Sequence, residues 1–159
     1  MRDAAGRPAY FIALVQDVTA RKQAEARLAR QAHHDALTDL PNRALLFDRM
    51  AQALTQARRK HWTAGVLYVN LDRFKAVNDS LGHERGDRLL REAAARLCAV
   101  VRGGDTVARV GGDEFVLILA DQNNEEVIFR AMQRISAKVA EPITVDGKEL
   151  YVTCSAGIS

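Results

Sequence analysis

Cysteine is scarce in this chain of 159 residues, which contains only Cys98 and Cys154. The two lie far apart in the sequence, and neither belongs to a C-x-x-C pair or to a cluster of cysteine and histidine. This pattern excludes a disulfide framework and a zinc site as the basis of the fold.

Long hydrophobic runs and aromatic residues are also scarce. No apolar run approaches the roughly 20 residues that cross a bilayer, and residues 1–8 lack the features of a secretory signal. We therefore expect a cytoplasmic chain without membrane contact, from a parent protein that can still be membrane-anchored elsewhere. Aromatic residues make up 6% of the chain and are not interleaved with the basic residues at 21–30 and 58–60, so DNA or RNA binding is not indicated.

The composition is that of a soluble domain with a short appendage, at 48% hydrophobic and 27% charged residues. Residues 9–16 are β-prone, and helix formers dominate from residue 19 onward. Because this helix has only a thin apolar stripe, it is expected to form a homodimer with a second copy of itself, or else to remain a solvated linker.

The rest of the sequence predicts alternating helices and strands. Apolar periodicity predicts helices over residues 42–60, 74–81 and 85–102, and from Asn123 or Asn124 to about residue 140. Strands are predicted at GVLYVNLD, TVARV and FVLILA, and a hairpin turned at Asp146 and Gly147. The order β-α-α-β-β-α-β indicates an α+β fold of the ferredoxin-like kind, with a central antiparallel sheet flanked by helices.

The turn between two predicted strands contains Gly111 and Gly112, followed by Asp113 and Glu114. Glycines allow a triphosphate to approach the backbone closely, and the carboxylates can hold Mg²⁺. The alternative is an ordinary glycine hairpin with polar decoration.

The end of the first core strand, at Asn70, Leu71 and Asp72, precedes a short helix. Oxygen ligands beside the free N–H groups of a helix start form a site for a cation and a phosphate. Alternatively, Asp72 only caps that helix.

A third pattern consists of Asn78 and Asp87, which flank a predicted turn at SLGHERG. A carboxylate accepts hydrogen bonds from N1–H and the N2 amino group of guanine, whereas adenine has an acceptor at N1. This pair therefore favours guanine, although an Asp in this position can also be a helix cap.

Together, the strings DALTDLPNR, NLDRFKAVNDSLGHERGD and RVGGDEF closely resemble the GGDEF family of diguanylate cyclases, from Asp35 to the end of the chain. The resemblance implies an adenylyl-cyclase-like palm in which a dimer condenses two GTP molecules into cyclic di-GMP and releases pyrophosphate. It also implies Mg²⁺ or Mn²⁺ as the cofactor and cyclic di-GMP as an inhibitor.

The same resemblance implies a role for each matching residue. It places Asp113 and Glu114 at the reacting groups, Asn78 and Asp87 on guanine, and a product-binding inhibitory site at Arg102 and Asp105. Arg102 has an alternative interpretation, because arginine is favoured near a helix C-terminus. The implied metal ligands are Asn70, the Leu71 carbonyl, Asp113 and Glu114, and the implied phosphate-binding residues are Phe74, Lys75, Gly111 and Gly112.

The N-terminal string GRPAYFIALVQDVTARKQAEARL resembles the last strand of a PAS sensor domain followed by its signalling helix. We therefore expect a PAS remnant at residues 1–18, a linker helix at 19–35, and a GGDEF domain at 36–159 that lacks its C-terminal part.

Asn70 stands where the family usually has a metal-binding Asp. Its amide oxygen can coordinate Mg²⁺ but adds no negative charge, so the metal should bind more weakly. Asn70 thus favours a rival hypothesis, a degenerate module that binds GTP or cyclic di-GMP and regulates a linked phosphodiesterase domain. A purely structural dimerisation module would leave Asn78 and Asp87 unexplained.

Overall fold

The computed structural model describes residues 16–122 and 124–158. The bounds of its elements agree closely with the predicted helix over residues 42–60 and confirm the predicted helix over 74–81. The helices are α1 (Thr19–His33), α2 (Arg43–Lys60), α3 (Phe74–Leu81), α4 (His83–Val100) and α5 (Glu125–Val139); the strands are β1 (Thr63–Leu71), β2 (Thr106–Gly111), β3 (Glu114–Gln122), β4 (Ile143–Val145), β5 (Lys148–Leu150) and β6 (Cys154–Ile158).

The chain divides into two compact units, residues 1–30 and residues 31–159. No residue of α1 is buried, as its thin apolar stripe predicts. The predicted strand at residues 9–16 lies outside the described residues apart from its last position, and so does most of the expected PAS remnant. Among the described helices, none combines the length and the apolar character needed to cross a membrane.

A four-stranded antiparallel sheet in the order β2-β3-β1-β6 forms the centre of the second unit. Alternate residues of β1, at Leu67, Val69 and Leu71, are buried on one face of this sheet. They belong to the main core together with residues of α4 and α5, such as Leu97 and Ile135. The predicted α+β architecture, with a central antiparallel sheet flanked by helices, is confirmed.

Helix α2 packs on the opposite face of the sheet, mainly over β2 and β3. Its buried Leu46 contacts a smaller core that contains Ala108, Val116 and Ile118. Because successive side chains of a strand alternate between faces, the remaining residues of β1 also point to this side. Near the end of β1, however, the face is open, and Tyr68 is 45% exposed.

The structure corrects the turn that was predicted at SLGHERG. Gly82 alone separates α3 from α4: its φ of 86° is unfavourable for other residues, and its N–H donates to the Asn78 carbonyl at 2.9 Å. Helix α4 therefore begins at His83 instead of residue 85. Asp87 is the fifth residue of α4, so the interpretation of Asp87 as a helix cap is wrong.

Arg96 of α4 stabilises the end of α5. Its side chain is only 10% exposed and pairs with Glu92 at 2.9 Å. Its guanidinium also donates to the carbonyl oxygens of Val139, Glu141 and Pro142, the last at 2.7 Å. The final carbonyls of a helix have no partner within the helix, so Arg96 satisfies groups that burial would otherwise leave unpaired.

We expect Arg96→Met to lower the free energy of unfolding by about 2–4 kcal/mol, because it leaves several carbonyls and Glu92 without their donor. Arg130→Met is the matched control, since Arg130 pairs with Glu126 alone among the described residues, on the exposed surface of α5. The control should change stability by about 0.5 kcal/mol or less. Urea unfolding measures both, and equal losses in the two variants would contradict the assigned role.

Candidate functional site

The β2–β3 hairpin and the end of β1 lie side by side. Gly112 has a φ of 49°, which a glycine adopts without strain, and the turn leads directly into Asp113 and Glu114. Glu114 pairs with Asn70 across the strands, and the Leu71 N–H donates to the Asp113 carbonyl at 3.2 Å. The backbone therefore brings together the four residues that the sequence predicts as metal ligands.

One surface of the sheet beside this hairpin is exposed. We call it the open face, and it is formed by Tyr68, Asn70, Glu114 and Ser155. Directly paired residues of antiparallel strands share a face, and Asn70 pairs with Glu114 on one side and with Ser155 on the other. Tyr68, two residues before Asn70, joins them by the same alternation. A hydrogen bond with the Glu114 carboxylate raises the pKa of the Tyr68 phenol.

The oxygen ligands at the end of β1 and in the hairpin are of the type that binds a hard divalent cation, but they carry little negative charge. They comprise the amide oxygen of Asn70, the Leu71 carbonyl and the carboxylates of Asp113 and Glu114, all oxygen ligands of the kind Mg²⁺ prefers. Across the described ranges, no three Asp, Glu, His or Cys side chains come close enough to hold a metal ion. The site thus fits Mg²⁺ with two carboxylates and a neutral amide.

Asp72 forms hydrogen bonds with two residues around the start of β6. Its two carboxylate oxygens accept hydrogen bonds from the Thr153 and Ser155 hydroxyls at 2.6 and 2.7 Å, and its N–H donates to the Thr153 carbonyl at 2.8 Å. These hydroxyl donors hold the pKa of Asp72 below its ordinary value. The N-cap position of α3 is Arg73, with a φ of 60° and no side-chain cap, so the interpretation of Asp72 as the helix cap is wrong.

The first turn of α3 presents backbone donors next to the metal-ligand candidates. Phe74 and Lys75 begin this helix, and the first N–H groups of a helix lack partners within it. Phe74 is partly buried against the main core, whereas Lys75 is exposed. The arrangement leaves the N–H groups and the Lys75 ammonium available to an anion.

Helices α3 and α4 bring the two predicted guanine-binding residues together. The Asn78 amide lies against Gly86, the residue that immediately precedes Asp87. The Oδ1 atom of Asn78 is buried and accepts no hydrogen bond from any group in the part of the chain that the structure describes. Asp87 is half-buried. A buried acceptor without a donor is costly, which makes Asn78 and the neighbouring Asp87 a candidate place for a ligand that carries hydrogen-bond donors.

Arg102 and Asp105 lie in the turn between α4 and β2. The Asp105 carboxylate accepts hydrogen bonds from the N–H groups of Arg102 and Ala120 at 2.9 and 3.1 Å, while Arg102 is exposed. The pair lies at the start of β2 and Gly111 at its end, a separation of about 20 Å for a six-residue strand. The two predicted sites are therefore distinct.

Arg134 was not predicted, yet it lies beside this turn. It lines the same small cavity as Arg102 and Asp105, and its guanidinium donates to the Val100 carbonyl at 2.9 Å. Arg134 belongs to α5, about thirty residues further along the chain, so no local pattern could indicate it.

Arg109 connects the hairpin to the segment before α2. Its Nε and one terminal nitrogen donate to the Gly112 carbonyl at 3.0 and 2.7 Å, and the other terminal nitrogen donates to Asp35 at 2.8 Å. The same Asp35 oxygen accepts hydrogen bonds from the N–H and hydroxyl of Thr38 at 2.9 and 2.7 Å. Burial favours a raised pKa for Asp35, but these hydrogen bonds and the Arg109 charge outweigh it and lower the pKa.

No sequence pattern assigned a role to Arg109 or Asp35. The available signals were the strings DALTDLPNR and RVGGDEF, which begin with Asp35 and Arg109 and carried the family resemblance without indicating a contact between them. The structure shows that this segment holds the glycine turn, because Arg109 also donates its N–H to the Pro41 carbonyl at 3.0 Å.

The fold and the site define a class, an α+β domain whose open sheet face carries acidic and amide side chains beside a glycine hairpin. The family described as "Diguanylate cyclase, GGDEF domain" matches residues 32–159. Because the match covers most of the chain, this chain belongs to the GGDEF family.

Individual relatives and solved structures support this membership. The chain is 43% identical over 141 residues to the bifunctional diguanylate cyclase/cyclic di-GMP phosphodiesterase MucR of Pseudomonas aeruginosa, covering 89% of the chain but only 20% of MucR. It is similar to the solved GGDEF domain of TpbB from the same organism, with a TM-score of 0.77 and 40% identity over 79% of this chain and 74% of that one.

A third similar protein was solved with a ligand. The coiled coil and GGDEF domain of DgcB from Caulobacter crescentus, in complex with cyclic di-GMP, has a TM-score of 0.78 and 26% identity. The similarity covers 89% of this chain and 75% of that one.

The Asp35–Arg109 pair generates a prediction about stability and pH. Asp35→Asn should lower the free energy of unfolding by about 1–3 kcal/mol at neutral pH, because it removes the charged partner of a mostly buried guanidinium. Since the folded-state pKa of Asp35 is below its ordinary 3.8, the stabilisation is present above that value and is lost as the pH falls through the folded-state pKa.

Urea unfolding at a series of pH values measures this difference, with Asp48→Asn as the control at an exposed carboxylate of α2. The control should match the unmodified chain at every pH. A stability difference for Asp35→Asn that stays constant into acid would contradict the role of the Asp35 charge.

Proposed function

We propose that this chain is the synthetic domain of a second-messenger signalling protein, a diguanylate cyclase that condenses two GTP molecules into cyclic di-GMP and pyrophosphate. The observation that carries the proposal is the buried Asn78 Oδ1, which has no donor among the described residues and lies beside Asp87. Guanine supplies N1–H and an N2 amino group as donors, whereas adenine has an acceptor at N1. The pair therefore suits a guanine nucleotide.

The triphosphate would extend from this guanine site along the first turn of α3. Backbone N–H groups around Phe74 and the ammonium of Lys75 would bind its phosphate oxygens. The hairpin glycines, Gly111 and Gly112, leave room for the phosphates, because a Cβ added at either one meets no atom within 4 Å.

The metal ion would be Mg²⁺ or Mn²⁺, held by Asn70, the Leu71 carbonyl, Asp113 and Glu114. When bound, it neutralises triphosphate charge and polarises the α-phosphorus. Asp113 and Glu114 act by holding this charge next to the reacting groups. A homodimer formed through the N-terminal helix would place one GTP on each chain, so that each 3′-hydroxyl meets the α-phosphorus of the other nucleotide.

Product inhibition is part of the proposal. Arg102 and Asp105 would bind cyclic di-GMP at the far end of β2, because a guanidinium pairs with phosphate and a carboxylate accepts guanine donors. Arg134 adds a second guanidinium to the same cavity. The DgcB structure with cyclic di-GMP supports the class of ligand.

A second candidate function is regulatory. Asn70 leaves the metal site with two carboxylates, and MucR is a relative described as both a cyclase and a phosphodiesterase. A chain with too weak a metal site would bind GTP or cyclic di-GMP without synthesis and regulate a linked phosphodiesterase domain.

The guanine site is tested by Asp87→Ala. Calorimetric titration with GTP and ATP should show that the unmodified chain prefers GTP, and that the variant loses about 1–3 kcal/mol of that preference, or roughly tenfold to a hundredfold. Asp79→Ala, at an exposed carboxylate of α3, is the control and should keep the preference. An unchanged GTP-to-ATP ratio in Asp87→Ala would count against the site.

The choice between synthesis and regulation is tested at Asn70. In the intact protein, Asn70→Asp should raise cyclic di-GMP synthesis on the order of tenfold when Mg²⁺ is limiting, since about 1.4 kcal/mol of added attraction gives that factor. The gain should shrink at saturating Mg²⁺. Asn70→Ala is the companion variant and should reduce synthesis, because it removes a ligand.

Measuring product against Mg²⁺ concentration separates the two functions. If neither the unmodified protein nor Asn70→Asp forms product at any concentration, synthesis is refuted and the regulatory function remains.

A further inference from the structure

Gly86 has no backbone reason to be glycine. It lies inside α4, and the φ angles that require glycine occur elsewhere in the described residues, as at Gly82 and Gly112. Glycine in a helix interior is less favourable than alanine, because the unfolded chain loses more freedom on folding. The reason for this glycine must therefore be the space beside it.

That space is occupied by the Asn78 amide. A Cβ placed on Gly86 would lie 1.9 Å from Asn78 Oδ1, 3.0 Å from its Cγ and 3.3 Å from Cζ of Phe74. The first of these distances is far below any real contact, whereas the contact with Phe74 is only tight. Alanine at this position and the observed Asn78 side chain therefore exclude each other.

The atom that the added Cβ would meet is the same Asn78 oxygen that lacks a hydrogen-bond partner. Asn78 Oδ1 is buried, and no described residue donates to it. Asn78 can escape the clash by rotating its short side chain, since no described residue holds its amide oxygen by a hydrogen bond. Such a rotation would move the amide away from its place beside Asp87 without unfolding α3 or α4.

We propose that Gly86 is a specificity-determining residue, which acts by leaving room for the Asn78 amide to face a guanine base. This inference rests on the proposed function, because it takes Asn78 and Asp87 as the guanine site. Gly86 does not touch the ligand. Its role is positioning, and it acts only through Asn78.

A double-mutant cycle with Gly86→Ala and Asn78→Ala tests the proposal. Calorimetry measures the binding of GTP, ATP and inorganic tripolyphosphate in the presence of Mg²⁺. We expect Gly86→Ala to weaken GTP binding by about tenfold, the usual size of one lost hydrogen bond to a ligand, and to leave tripolyphosphate binding unchanged. In the Asn78→Ala background, Gly86→Ala should cause no further loss.

Two controls exclude a general structural effect. Gly104→Ala adds a methyl group where nothing lies within 4 Å, and it should leave GTP binding unchanged. Urea unfolding of Gly86→Ala should show stability equal to or above that of the unmodified chain, because alanine is the better helix former and Asn78 can rotate away.

The outcomes separate this inference from the proposed function. A GTP preference that survives Gly86→Ala would overturn the inference alone, and so would an equal GTP loss in the Asn78→Ala background or a parallel loss of tripolyphosphate binding. If the unmodified chain shows no preference for GTP over ATP, the guanine site itself is refuted and the inference falls with it.

Discussion

Strand β1 is the element on which the rest of the structure depends, because it pairs with β3 on one side and β6 on the other. Its alternation buries Leu67, Val69 and Leu71 in the main core and directs Tyr68 and Asn70 to the open face. The register of these two pairings decides what meets Asn70. A slip of one residue would exchange the buried and open sets, so core burial and site geometry are specified by the same hydrogen bonds.

The hairpin that carries the carboxylates is held by Arg109 of β2 and by the segment before α2. Two glycines give the turn its shape but little rigidity, since glycine adopts many conformations. Arg109 compensates by donating to the Gly112 carbonyl while pairing with Asp35. The segment between α1 and α2 is thus in direct contact with the turn that would bind the metal. A change at that segment has a short physical route to Asp113 and Glu114.

The proposed site has two ends, and ligand binding is limited by charge at one end and by space at the other. At the proposed metal end, Asn70 would supply an oxygen ligand but no charge, so Asp113 and Glu114 alone would offset a cation. At the nucleotide end, the limit is steric, because the Asn78 amide fits only beside a residue without a side chain. The two ends are joined by α3. Its first turn follows β1 in the chain, and its last turn contacts α4. One short helix therefore sets the spacing between the proposed metal site and the proposed base site.

The sequence by itself determined the features that depend on neighbours in the chain. Apolar periodicity and Gly82 predicted α3 from Phe74 to Leu81, two adjacent glycines predicted the hairpin, and the motif order identified the family. Local patterns are sufficient there, because helix ends and tight turns depend on backbone angles within a few residues. Only the tertiary structure decided the contacts between distant segments, such as Arg109 with Asp35, Asp72 with Thr153, and Arg134 beside Arg102. Such pairs obey no spacing rule, since the packing of the sheet and helices determines which side chains meet.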